Sequence, residues 1–142
     1  MAEAPKPGYT IKPDLKKTTG LRAKYDAFVL AHKGLKPFAS DIWTWAGQYR
    51  VDPIYFAALL WHESGGDPNE TNLNNNGSTD YGLGQINSVH LGEKMPWGEN
   101  VTVETLADPS FNIRYAARYF ASKVKVLGYE NAYGGEGGYN PG

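Results

Sequence analysis

The stretch DPIYFAALLWHESGG, residues 52–66, constrains the fold more than any other part of the 142-residue chain. Asp52 is a good N-cap, and Pro53 falls at the first helical position, where its missing N–H costs nothing. Gly65-Gly66 supplies the stop. Residues 54–61 between these signals are apolar all round, so the helix has no face to give to water. It must run through the centre of the molecule, with the other elements packed around it. Its last turn nevertheless carries a histidine, a glutamate and a serine: His62, Glu63 and Ser64.

The rest of the chain reads as a mainly α domain around that helix. Residues 1–18, with three prolines and several lysines, form an expected linker or arm, leaving 19–142 as one domain. A helix is expected from Leu21 to Lys33, with Leu21, Tyr25, Phe28 and His32 on its stripe and Gly34 ending it. A second runs from Pro37 to Tyr49, burying Phe38, Ile42, Trp45 and Tyr49. After the central helix comes DPNETNLNNNGSTD, too rich in Asn, Asp and Gly for a helix. Asn76-Gly77 favours a type I′ turn and a short hairpin there. In YGLGQINSVHL, Asn87 or Ser88 is placed to cap a short helix, and Asp108-Pro109 repeats the Asp-Pro start signal. The helix from Ser110 to Leu127 should bury Ile113, Ala117, Phe120, Val124 and Leu127, with Arg114, Arg118 and Lys125 on a solvated face. The ending YENAYGGEGGYNPG reads as a glycine-rich loop. No internal repeat occurs. A long polar excursion between two helices usually lines a cleft.

Composition removes several function classes. The net charge of −1 offers no field for nucleic acid or an anionic membrane surface. No apolar run approaches a membrane span. The chain has no cysteine, and hence no disulfide, thiolate metal site or cysteine nucleophile. Its start lacks the apolar core of a signal peptide, which points to a piece of a larger exported or virion protein, or to a removed leader. The aromatic content of 13% suits a sugar-stacking surface and a well-filled core equally.

Motif chemistry is mostly excluded as well. His62-Glu63 opens an H-E-x-x-H pattern, but Gly66 stands at the second ligand position. The calcium-loop-like run Asn72, Asn74, Asn76, Gly77 reaches Leu83 where the bidentate glutamate belongs. The Gly134–Gly138 cluster follows no strand and lacks the phosphate-loop lysine, and no G-x-S-x-G elbow exists. Asn69, Asn76 and Asn100 open N-x-S/T triplets, which matter only in a eukaryotic secretory pathway. We expect no metal and no cofactor.

Glu63 is what remains. Near a helix C-terminus it faces the negative end of the macrodipole, and Leu60 and Trp61 add desolvation; both raise a carboxyl pKa. A carboxylic acid that keeps its proton near neutrality can protonate a leaving glycosidic oxygen. The alternative is a structural role, with Glu63 capping the N–H groups of Gly65 or Gly66.

Four segments in order bring in a resemblance: LLWHESGGDPN, YGLGQIN, DPSFNIRYAARYF and GYNPG. Over residues 37–142 they resemble the lytic transglycosylase domain of the goose-type lysozyme superfamily (the soluble-lytic-transglycosylase type), nearest to specialised enzymes of secretion, conjugation and phage systems. The resemblance implies a lysozyme-like helical domain whose polar loop or small hairpin lines a substrate cleft. It makes Glu63 the sole general acid/base and Ser64 a support of the turn. Gln85 is implied to line the cleft beside Glu63, flanked by Tyr81 and Asn87 as sugar contacts. Tyr139 and Asn140 match the Tyr-Asn pair whose hydroxyl lies near the acid, with Tyr133 of AYGG as the alternative match. Two residues depart from the pattern. Ala116 stands where the helix has Gly, altering close packing, and Gly84 replaces Met in G-L-M-Q, opening a subsite. The chain also stops at Gly142, where such domains continue into another helix, so the C-terminal wall of the cleft is expected to be missing or supplied elsewhere.

The implied reaction cleaves the β-1,4 bond between N-acetylmuramic acid and N-acetylglucosamine of peptidoglycan strands, outside the cytoplasm, and leaves a 1,6-anhydromuramyl end. Two alternatives stay open: a hydrolytic muramidase of the same fold, and a silent glycan-binding or virion module. For hydrolysis a second carboxylate is needed. Asp67, Glu70 and Asp80 lie in the loop that could face Glu63; Asp80 is the first candidate, against an Asx-type turn role before Tyr81-Gly82.

Overall fold

A computed structural model describes residues 18–135 and 137–140; the arm expected over 1–18 lies outside them except for Thr18, as does the end of GYNPG. The core element is α3, Pro53–Ser64. Asp52 caps it, accepting from the N–H groups of Ile54 and Tyr55 at 2.8 and 3.4 Å. Gly65 ends it in the left-handed region, φ 62°. From Pro53 to Leu60 every residue is buried, as an all-apolar helix requires.

Two helices precede it. In α1, Thr18–Ala31, Tyr25 and Val29 face the core. The helix stops short of the expected Lys33. The chain turns instead through a 3₁₀ segment, Lys33–Phe38, with Gly34 inside it rather than beyond a helix end. Gly34 has a packing reason to lie there: a Cβ on it would come within 2.6 Å of Gly65 O, so the segment lies backbone to backbone on the end of α3. α2, Ala39–Gln48, buries Ile42 and Ala46, with Phe38, Trp45 and Tyr49 half-covered at its flank.

The polar excursion is a three-stranded antiparallel sheet in the order β1–β2–β3: Thr71–Leu73, Thr79–Tyr81 and Ile86–Asn87. The hairpin falls where Asn76-Gly77 predicts it, but the turn is not type I′. That turn needs positive φ at both central residues. Arg50 and Gln85 are the sole non-glycine residues with positive φ among those described, so Asn76 is not left-handed. Gly77 alone is, φ 85°, and its N–H donates to Asn74 O while Asn74 N donates to Ser78 O. This is the three-residue connection with a left-handed glycine. Asn87 caps the 3₁₀ turn Ser88–His90 by accepting from Val89 N.

The remaining helices close the other side. α4, Val103–Ala107, is held by a capping box between Thr102 and Thr105, and was not expected from the sequence. α5, Pro109–Leu127, begins at the Asp108 cap and buries Ile113, Ala117 and Phe120, while Val124 and Leu127 are half-exposed. Arg114 does not lie on a solvated face. Its guanidinium stacks between Trp45 and Trp97, 4.4 and 3.8 Å from the ring centroids, tying the loop around Trp97 to α2. Within the expected terminal loop lies α6, Tyr129–Gly134. Its Tyr129 hydroxyl accepts from Asp52 N at 2.7 Å, and its ring sits 4.6 Å from that of Tyr55. No helix among the described residues is long and apolar enough to cross a membrane.

Candidate active site

Glu63 sits one residue before the end of α3, half-buried. The turn after it is closed without its help. Gly65 N donates to Trp61 O at 2.8 Å, and Gly66 N donates to Ser64 Oγ at 3.3 Å. The capping role considered for Glu63 therefore belongs to Ser64, whose hydroxyl also donates to Leu60 O at 3.0 Å. Burial, followed by the negative charge of Asp80, pushes the Glu63 carboxyl up from 4.5 to about 7. Desolvation acts as expected from the apolar flank; the second cause lies 17 residues along the chain.

Asp80 is not at an Asx turn. It is the middle residue of β2, paired with Asn72 on one side and Asn87 on the other. Its Oδ1 accepts from Asn87 Nδ2 at 2.9 Å. Successive residues of a strand point to opposite faces, so the register that aims Asp80 is set by the hairpin.

Two tyrosines complete the surroundings. The Tyr139 hydroxyl is raised well above its ordinary value by burial and then by the charge of Glu63; Tyr133 is raised by the same two causes in the same order. Both phenols thus share the electrostatic environment of Glu63. The Tyr139 hydroxyl donates to Gly84 O at 2.7 Å, whereas the Tyr133 hydroxyl makes a long 3.4 Å contact with Ala58 O. Asn140 contributes its backbone, its carbonyl accepting from Tyr119 OH at 2.8 Å.

Gln85 and Asn87 are buried, and their amides are engaged within the sheet lobe. Gln85 Nε2 donates to Gly82 O and Glu70 O at 2.9 and 3.1 Å, and its Oε1 accepts from Asn72 Nδ2 at 2.7 Å. Asn87 Nδ2 donates to Ser78 Oγ and Asp80 Oδ1, both at 2.9 Å. These side chains shape the turn that presents Tyr81, itself half-buried in β2.

Gly84 does not open a subsite. A Cβ there would lie 2.7 Å from Ala116 Cβ and 2.9 Å from Tyr139 OH, so the position faces α5 and Tyr139. The two departures from the pattern are one contact: Ala116 fills the space that Gly84 leaves. Beside it lies Asn112, a residue that sequence reasoning did not single out although it stands within DPSFNI. Among the described residues, no group of three or more His, Cys, Asp or Glu could hold a metal ion.

A helical frame, a small sheet and a proton-retaining carboxyl at the end of the central helix define the lysozyme-like class. The chain belongs to the transglycosylase SLT domain family, whose model matches residues 41–142. It is similar to the protein IpgF of Shigella flexneri, 31% identical over 106 residues, covering 72% of this chain and 66% of that protein. It is also similar to the invasion protein IagB of Salmonella typhimurium (strain SL1344), 30% identical over 104 residues, covering 72% of this chain and 63% of that one. The chain spans just under two thirds of the length of these relatives. No solved structure matches it.

Proposed function

We propose that the chain is a peptidoglycan lytic transglycosylase acting outside the cytoplasm, with Glu63 as its general acid and base. The observation that carries the reading is a carboxyl at the end of the buried central helix, pushed up by burial and then by Asp80 to about 7, so that it can hold a proton near neutral pH. In the first step the Glu63 carboxyl donates its proton to the glycosidic oxygen, and the C1–O bond of the muramyl residue breaks. The resulting carboxylate then takes the proton of the muramyl C6 hydroxyl as that oxygen bonds to C1. The proton returns to Glu63 and a 1,6-anhydro ring is left, with no water consumed. Tyr81, Tyr133 and Tyr139 supply contacts to the sugars; Ser64, Gln85 and Asn87 hold the surfaces that carry them. Membership of the transglycosylase family supports this reading.

Asp80 favours a second reading. Its charge raises the Glu63 carboxyl, and hydrolysis would use Asp80 as the second carboxylate, nucleophile or base beside Glu63 as acid. Mass spectrometry of peptidoglycan digested by the chain separates the two. Anhydromuramyl ends are the expected product, abolished in Glu63→Gln; reducing ends alone would establish the hydrolase and exclude the lyase. A wild-type chain that binds glycan strands but never clears cell walls would exclude both.

A further inference from the structure

We propose that Asn112 is a positioning residue for this reaction: it staples the Tyr81–Gly84 turn onto α5 and so fixes Asp80 and Gly84 relative to Glu63 and Tyr139. The inference rests on the reading of Glu63 as the acid and adds a residue that touches neither the substrate nor Glu63.

The carboxamide of Asn112 is 1% exposed and holds three backbone groups from three places. Its Nδ2 donates to Tyr81 O and to Leu106 O, both at 2.9 Å, and its Oδ1 accepts from Gly84 N at 2.7 Å. Only an amide offers two donors and an acceptor in one plane at this reach. Aspartate keeps the acceptor but loses both donors. Alanine leaves a buried N–H and two carbonyls without partners, each of which then bears its full desolvation penalty.

The turn needs such a hold. Gly82 has φ 74° and Gln85, a residue with a side chain, has φ 52°. A left-handed conformation is sterically costly for a residue that carries a Cβ. A Cβ on Gly82 would run into the Asn112 amide, so the turn lies directly upon it. Released, Gln85 gains by returning to ordinary φ, and the displacement falls on its neighbours. One is Tyr81, with Asp80 immediately before it. The other is Gly84, whose carbonyl receives the Tyr139 hydroxyl. The charged and titratable groups facing Glu63 are Asp80 from β2, Tyr133 from α6 and Tyr139 from the C-terminal segment, and the Asn112 staple governs the placement of two of them.

The test compares the wild-type chain with Asn112→Ala and with Leu35→Ala, a fully buried control in the 3₁₀ segment before α2. The Glu63 carboxyl is titrated by ¹³C NMR, and kcat and KM are measured on glycan strands. For Asn112→Ala, kcat falls about tenfold or more with KM changed less than about threefold, as misplacement of reacting groups predicts. Its Glu63 titration moves to lower pH as Asp80 is released, while Leu35→Ala titrates as wild type. A Glu63 titration unmoved in folded Asn112→Ala would overturn the proposal, as would a kcat loss no larger than that of Leu35→Ala. Should Asn112→Ala not fold, Asn112→Ser, which keeps one hydrogen-bonding group, is judged by the same criteria. The titration needs no turnover, so it decides the inference separately from the assignment of Glu63, which fails only if Glu63→Gln stays active.

Discussion

Replacing Asp80 by asparagine removes one negative charge from the surroundings of Glu63 and little else. The new side chain has the same shape, and its oxygen can still accept from Asn87 Nδ2, the bond that now holds Asp80 at 2.9 Å. Two causes raise Glu63 from 4.5 to about 7, a rise of about 2.5 pH units: burial, the larger, and Asp80. Removing the smaller one lowers the pKa by less than half the rise, leaving Glu63 above 4.5 because burial persists. The sign follows from electrostatics: without a neighbouring anion the carboxylate forms more easily. Since the first step needs protonated Glu63, activity is lost on the alkaline side, and the alkaline limb of the kcat/KM profile moves to lower pH. A ¹³C titration of the Glu63 carboxyl reads the same shift without turnover. An unmoved pKa would refute the electrostatic link between β2 and α3. A fall all the way to 4.5 would refute burial as the larger cause. Anhydromuramyl product from Asp80→Asn would further show that one carboxylate suffices for the chemistry.

Glu63→Gln should abolish cleavage, read by loss of turbidity clearing. Because the folded pKa lies above the unfolded one, wild-type stability falls as pH rises from 4.5 through about 7; the glutamine variant should melt like wild type at pH 4.5 and above it at pH 8. The same sign holds for Asp52, pushed by burial from 3.8 to about 6, with its Oδ2 buried and unpartnered. Asp52→Asn, which keeps the Oδ1 cap, should flatten stability between pH 4 and 6 by about 2 kcal/mol in denaturant titrations. Arg114→Ala should cost about 1–2 kcal/mol by loss of both tryptophan stacks, and Arg114→Lys should recover only part, since an ammonium has no plane to stack; chemical melts at neutral pH measure both.

The parts of the fold written in local chemistry were legible in the sequence. Asp52-Pro53 and Asp108-Pro109 start α3 and α5 because cap and proline act within three residues of themselves, and Asn76-Gly77 marks the hairpin. What depends on distant partners was not. α6 is six residues bounded by glycines, with no cap of its own; Asp52 N, the Tyr55 ring and the burial of Ala132 hold it. Arg114 reads as a solvated charge until Trp45 and Trp97, 69 and 17 positions away, close over it. Glu63 was visible because the end of an apolar helix is a local fact. Asp80 could be named as the first candidate for a second carboxylate, but its place in the middle of β2 depends on strand register, which the sequence does not spell out. Asn112 looks like any helical asparagine until its three backbone partners are seen.

The contact between Gly84 and Ala116 changes how the family resemblance should be read. Letter by letter the chain departs from the pattern twice, at a glycine that is not a methionine and an alanine that is not a glycine. In space both stand at one close approach between the turn and α5, where a Cβ on Gly84 would meet the Ala116 methyl at 2.7 Å and the Tyr139 hydroxyl at 2.9 Å. Shrinking Ala116 to glycine would therefore not by itself make room for a side chain at 84, because the Tyr139 hydroxyl still closes the space. A substitution at either position is judged by what stands across from it, not by its letter in the pattern.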